Sequence, residues 1–153
     1  MKNFHIPKAV VFLLLFVLVV FAVLYRPIDI KGLIRASSQG SVRTEEIRTF
    51  ASADNMNYTL LSLDDAKYQQ LTEVLSTVSC RKKFDQVYSH YSHEYPVQSV
   101  TASFYDDAEN HKLLLTVYSD GVCIVNSAYV TVNYPGGGAE ELFQELWEIF
   151  GEE

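Results

Sequence analysis

The chain has 153 residues with 12 Lys or Arg and 19 Asp or Glu, so its formal net charge is −7 at neutral pH. The acidic side chains concentrate in residues 36–153, where 18 Asp and Glu stand against 7 Lys and Arg. An acidic domain repels the phosphate backbone of nucleic acids and anionic lipid headgroups, which argues against both as its ligands.

An apolar run covers residues 9–25 and contains no charged residue, no Gly and no Pro. In helical form it would rise about 25 Å, and a bilayer core takes about 17–25 apolar residues. Lys8 and Arg26 flank the run, where long cationic side chains reach the lipid headgroups. The run is longer than the apolar part of a signal peptide, and no small-residue cleavage pattern follows it. The sequence therefore predicts a basic tail at 1–8 and a transmembrane signal anchor at 9–25, with a cleaved signal and a buried core helix as alternatives.

Residues 26–40 predict a juxtamembrane linker, because they contain Gly and paired Ser and show no sustained apolar period. Residues 41–153 are numerous enough to form one soluble α+β domain with its own core. Positive charges are nearly balanced on the two sides of the anchor, so the positive-inside rule does not decide its orientation. A basic tail directly before an apolar run is typical of an exported anchor. We therefore expect a single-pass protein of the cell membrane with an extracytoplasmic domain.

The first half of the domain predicts two strands and a helix. The strands are expected at 41–51 and 57–62, with a turn at 54–55 between them. Apolar residues recur at helical spacing over 63–78, and the basic triplet 81–83 is expected at the C-terminal end of this helix, where cations complement the dipole.

The second half of the domain predicts an antiparallel meander and a closing helix. Alternating polarity and hairpin signals such as Asp120-Gly121 predict four strands. These strands are expected at 97–105, 111–119, 122–126 and 128–134. The helix at 139–150 carries a wide apolar stripe that is expected to cover one face of the sheet. The predicted fold class is α+β, with the order β-β-α-β-β-β-β-α after the transmembrane helix.

Three residues within five positions have the chemistry of metal ligands: His90, His93 and Glu94. Two histidines three positions apart can share one face of a helix. Their order matches neither HExxH nor HxxEH, so they stand as metal candidates against an aromatic-rich surface loop. No catalytic motif and no cofactor-binding motif is present. The sequence therefore predicts a protein that is not an enzyme and needs no cofactor, with a metal-dependent hydrolase as the less favoured alternative.

Cysteine and tyrosine supply two further candidates. Cys80 and Cys123 can form a disulfide in an oxidising compartment, or remain two buried thiols, and both alternatives stay open. Tyr88, Tyr91 and Tyr95 lie close together in the least regular stretch of the domain. Exposed tyrosines are typical of binding surfaces, so these three form a candidate binding surface, with half-buried packing as the alternative.

The order of parts resembles small membrane-anchored domains of unknown function from Gram-positive bacteria. The parts are the basic tail, one anchor, the linker, the helix at 63–78, the meander ending in AYVTVNY and the closing AEELFQELWEIF. The resemblance covers nearly the whole chain and implies no activity and no site residue.

The combined features predict a membrane-tethered extracytoplasmic binding or interaction module. Its partners are the lipid bilayer, through residues 9–25, and an unknown protein or small molecule. A small regulatory or immunity-type membrane protein that acts on a partner is the alternative.

Overall fold

The computed structural model describes residues 7–49, 52–83 and 93–151. Within these ranges the chain forms four helices and seven strands. In chain order they are α1 (Lys8–Leu24), α2 (Ile30–Arg35), β1 (Gln39–Thr49), β2 (Ser52–Leu61), α3 (Ala66–Ser76), β3 (Ser79–Lys82), β4 (Val97–Tyr105), β5 (His111–Tyr118), β6 (Cys123–Val125), β7 (Ala128–Asn133) and α4 (Ala139–Phe150).

The strands form one sheet in the order β2-β1-β4-β5-β6-β7-β3, and every neighbouring pair is antiparallel. The α+β class is confirmed. So are the four-strand meander from β4 to β7 and the helix at 139–150. The meander forms because its strands alternate in polarity and are joined by tight turns, in which Gly121, Asn126 and Ser127 adopt positive φ.

The core lies on one face of the sheet, beneath α2, α3 and α4. In β4 the core positions are Val100, Ala102 and Phe104, all fully buried. Tyr68 of α3 meets the Phe104 ring edge to face, with 5.9 Å between ring centroids. Burial of this apolar face is the main force that holds the helices on the sheet.

α4 begins where Glu141 folds back to the residue before the helix. Its carboxylate accepts a hydrogen bond of 2.6 Å from the backbone N–H of Gly138. This bond holds the pKa of Glu141 below its ordinary value. Leu142 and Leu146 are one turn apart and fully buried, so the apolar stripe packs on the sheet as predicted.

The apolar segment forms α1. This helix, Lys8–Leu24, is shifted by one residue towards the N-terminus relative to the predicted anchor at 9–25. No helix in the described part of the chain is both long enough and apolar enough to cross a membrane. The predicted transmembrane helix is therefore not shown. The physical reason is length: α1 has 17 residues, and its last turn closes at Tyr25, two positions before Pro27.

The segment predicted as a linker, 26–40, contains α2. Asp29 precedes this helix, and its side chain accepts a hydrogen bond of 2.9 Å from the backbone N–H of Gly32. Ile30 and Ile34 are buried in the core. Just before α2, the N–H of Ile28 donates a hydrogen bond of 2.8 Å to the carbonyl of Cys80. The chain therefore joins the fold well before residue 41.

Two local predictions in the first half of the domain were wrong. Residues 54–55 lie inside β2, because β1 and β2 pair as far as Thr49 and Ser52. The helix predicted from 63 begins at Ala66, since the Asp65 carboxylate first accepts a hydrogen bond of 2.7 Å from the N–H of Ser62.

The basic triplet 81–83 does not end a helix. Arg81 and Lys82 belong to β3, which pairs with β7 along the edge of the sheet. β3 and α2 are thus elements that the predicted order lacked.

The loop after β4 is organised by the carboxylate of Asp106. Its Oδ1 accepts hydrogen bonds from the backbone N–H groups of Ala108 and Asn110, at 3.0 and 2.9 Å. Lys112 Nζ lies 2.7 Å from Oδ2. The Lys112 ammonium is the main cause that holds the pKa of Asp106 well below its usual range, and the hydrogen bond from the Asn110 N–H is the second.

Substitution of Asp106 by Asn is expected to reduce the fall in the free energy of unfolding that occurs as the pH is lowered. Because the folded-state pKa is depressed, the carboxylate stabilises the fold above its unfolded pKa of about 4. That stabilisation is lost as the pH falls through the folded-state value. Urea unfolding at pH values from about 2 to 6, followed by Trp147 fluorescence, measures it. Asp107→Asn, one position along in the same loop, is the matched control, and an Asp106→Asn curve parallel to wild type would contradict the prediction.

Candidate functional site

The second face of the sheet carries a row of small hydroxyl side chains. In β4 these are Ser99, Thr101 and Ser103, which alternate with the core positions. Strand pairing sets Ser41 of β1 beside Ser103, and Thr116 of β5 beside Thr101. The hydroxyls of Thr101 and Thr116 are 3.1 Å apart. We call these five residues the polar sheet face.

An aromatic and charged group stands at one end of the polar sheet face. Tyr118 of β5 pairs with Ser99, and the His93 ring lies 4.3 Å from the Tyr118 ring, centroid to centroid. His93 Nδ1 is 2.6 Å from Asp120 Oδ2, and Tyr95 meets the His93 ring edge to face at 6.3 Å. We call His93, Tyr95, Tyr118 and Asp120 the His93 cluster.

β1 adds a cation and a carboxylate beside this cluster. Arg43 Nε lies 3.2 Å from Glu45 Oε1, and the Ser99 hydroxyl donates to Glu45 Oε2 at 3.5 Å. Burial raises the pKa of the Tyr118 phenol above its usual range, and the negative charge of Glu45 raises it further. The phenol therefore stays protonated at neutral pH and can donate a hydrogen bond.

The arrangement is suited to binding through hydrogen bonds and ring contacts. Asp120 engages Nδ1 of the His93 ring, an arrangement that commonly orients the other ring nitrogen towards a ligand. The neutral Tyr118 phenol and the Arg43 guanidinium are donors for carbonyl or carboxylate oxygens. Tyr95 supplies an exposed ring for stacking.

The predicted metal ligands are not brought together by what the structure describes. His90 lies outside the described residues, His93 contacts Asp120, and Glu94 is exposed. Within 7–49, 52–83 and 93–151, no group of three or more His, Cys, Asp or Glu residues is placed to hold a metal ion. Of the predicted tyrosine surface, Tyr95 is exposed next to His93, while Tyr88 and Tyr91 lie outside the described residues.

Cys80 and Cys123 are both fully buried and both free thiols. They come from β3 and β6, the two strands that flank β7, and their side chains share a hydrogen bond. The hydrogen bond that the Cys123 S–H donates to Cys80, together with burial, raises the pKa of Cys123, so this thiol stays protonated. The pairing of the two cysteines as a disulfide stays a prediction.

Sequence reasoning missed Arg43, Glu45, Tyr118 and Asp120 as site residues. Asp120 was interpreted only as a turn residue, and it does lie in the β5–β6 turn. The available signal was the alternation in β5, where Leu113, Leu115 and Val117 face the core. That period places Tyr118 on the same face as Thr116.

The chain was compared with protein-family models, with curated proteins and with solved structures. None of the three comparisons finds a match.

Proposed function

We propose that this protein is a binding module held at a membrane by α1, with its α+β domain on the extracytoplasmic side. The observation that carries the proposal is the exposure of α1. None of its 17 residues is buried, whereas the core is built from the sheet with α2, α3 and α4. Phe12, for example, is 74% exposed. A continuous exposed apolar surface is typical of a segment covered by lipid or by a partner.

The ends of α1 support a bilayer as the covering medium. A helix of 17 residues rises about 25 Å, short of a bilayer core of about 30 Å, so an inserted α1 would require local thinning of the bilayer. Lys8 stands at one end, and Tyr25 with Arg26 follows the other. Such residues are favoured at the boundary between lipid and water.

The His93 cluster and Arg43 form the proposed contact surface for an unknown protein or small molecule. The polar sheet face, four of whose five residues are buried, supports this surface rigidly, because each of its strands is paired on both sides. Binding residues held on strands keep their geometry better than residues on loops. The proposed ligand therefore offers carbonyl or carboxylate oxygens to Arg43 and Tyr118, and an apolar or aromatic part to Tyr95.

Chemical crosslinking in intact cells tests the surface with the full chain as bait. We expect the double variant Arg43→Ala and Tyr118→Phe to lose crosslinked species that the wild type forms, because two donors are removed while the Tyr118 ring remains. Thr131→Ala, at an exposed position on β7, is the matched control and should keep them. Added protease should remove the domain from intact cells if it faces outward.

Two outcomes would contradict this function. Wild type without any specific crosslinked species would reject the binding module. Species that persist in the double variant but disappear when α1 is exchanged for an unrelated apolar helix would reject the sheet surface. That second result would favour the regulatory alternative, in which α1 itself acts on the partner.

A further inference from the structure

β2 forms one edge of the sheet and leaves its outer side without a paired strand among the described residues. It is ten residues long, Ser52–Leu61, and contains one charged residue, Asp54, and neither Lys nor Pro. The opposite edge, β3, has four residues and carries Arg81 and Lys82. Short, basic edges resist strand addition, whereas long uncharged edges invite it. The two edges of this sheet therefore differ in their capacity to pair.

Three large side chains stand out from β2 on one face. Met56 is 63% exposed, Tyr58 is 56% exposed and Leu60 is 73% exposed. They occupy alternate positions along the strand, so they share a face. Leu61, the last residue of β2, is buried and points to the core instead. A surface of this kind at a strand edge marks an interaction site rather than a solvated strand.

We propose that β2 pairs antiparallel with β2 of a second copy of this chain, with the two Tyr58 residues opposite each other. In this register Met56 of one copy stands opposite Leu60 of the other, and the reverse pair follows by symmetry. Asp54 stands opposite Ser62. Every exposed apolar side chain of the strip thus meets an apolar side chain, and no charge meets a like charge.

The symmetry of the apolar pattern points to a second copy rather than a different chain. The apolar pattern at 56, 58 and 60 is centred on Tyr58, which is what an isologous two-fold contact needs and an unrelated strand does not. Residues 36–153 carry 18 acidic against 7 basic side chains, so two copies repel over most of their surface. β2 is a segment where they can approach with little repulsion.

Disulfide trapping in membranes from cells that express the full chain tests the register. With an organic disulfide as oxidant, two Tyr58→Cys chains should form a covalent dimer, each pair of thiols giving up two protons and two electrons to the oxidant. Met56→Cys is the matched control. The introduced sulfur at position 56 of one copy would face Leu60 of the other copy. Position 56 of that other copy would lie about 13 Å away along the strand, so no covalent dimer should form. The wild type reports any background from Cys80 and Cys123.

Molar mass in detergent provides a second measurement. Tyr58→Lys and Tyr58→Glu should each reduce the protein mass in the micelle from two chains to one, because like charges then face each other across the two-fold axis. An equimolar mixture of the two variants should restore the two-chain mass, which also shows that both are folded. A one-chain mass for wild type would overturn the proposal. So would a two-chain mass for Tyr58→Lys alone, or crosslinking of Met56→Cys as strong as that of Tyr58→Cys.

Discussion

Replacement of Leu14 and Leu18 by arginine is expected to move the protein from the carbonate-washed membrane pellet to the supernatant. Both side chains are exposed on α1 and lie one turn apart on the same side of the helix. An arginine near the centre of an inserted helix costs about 2.5–3.5 kcal/mol, so two cost about 5–7 kcal/mol. That is enough to remove most of the apolar stabilisation of a short segment.

The matched control places the same two charges on the domain. Leu63→Arg with Gln70→Arg changes two exposed positions outside α1 and should leave the protein in the pellet. If wild type itself appears in the supernatant, the tether is refuted. If the α1 variant stays in the pellet with wild type, some part of the protein other than α1 holds the membrane.

Ile30→Ala is expected to lower the free energy of unfolding by about 2–5 kcal/mol, the usual cost of truncating a buried isoleucine. Ile30 is 1% exposed and belongs to the main core cluster. Its helix, α2, contacts both α3 and β5. The truncated side chain would leave a cavity beneath residues 26–40, which the sequence predicted to be a linker. Urea unfolding in detergent, followed by the single tryptophan, Trp147, measures it.

Lys31→Ala is the control for that experiment. Lys31 is the next residue of the same helix and is exposed, and alanine preserves helix propensity. We expect a change within about 0.5 kcal/mol, as for most surface substitutions. A loss of unfolding free energy for Ile30→Ala as small as that for Lys31→Ala would contradict a role of α2 in the core.

The parts of the fold that the sequence predicted well are those with strong periodicity. Ala139–Phe150 has the predicted bounds because its apolar stripe repeats over three turns. β4 also has the predicted bounds, since serine and threonine alternate with apolar residues along it. Asp120-Gly121 marks the β5–β6 hairpin because Gly121 adopts a φ of +80°, which glycine adopts without strain.

The parts that escaped prediction are short or carry misleading turn residues. α2 has six residues, too few to show a period, although Asp29 was a usable capping signal. Asp54-Asn55 resembled a turn but lies at an irregularity of the β1–β2 register, where Asn55 adopts a φ of +52°. Its amide donates to Glu46 Oε2 at 3.2 Å, so a β-bulge uses the same residue chemistry as a turn.

The candidate site was less predictable than the fold because its contacts are long-range. His93 and Asp120 are 27 positions apart, and Glu45 and Ser99 are 54 positions apart. Local spacing predicts neither pair. The sequence drew attention to His93 through its neighbours His90 and Glu94, yet its observed partner comes from a hairpin turn of another part of the sheet.

The short connection between α1 and the first hydrogen bond of the domain limits how far the protein can reach. Residues 25–27 alone separate Leu24 from Ile28, whose N–H is bound to the carbonyl of Cys80. Three extended residues span about 10 Å at most. If α1 is held in lipid as proposed, the domain stays within this distance of the bilayer. Its ligand would then have to reach the bilayer surface or already lie there.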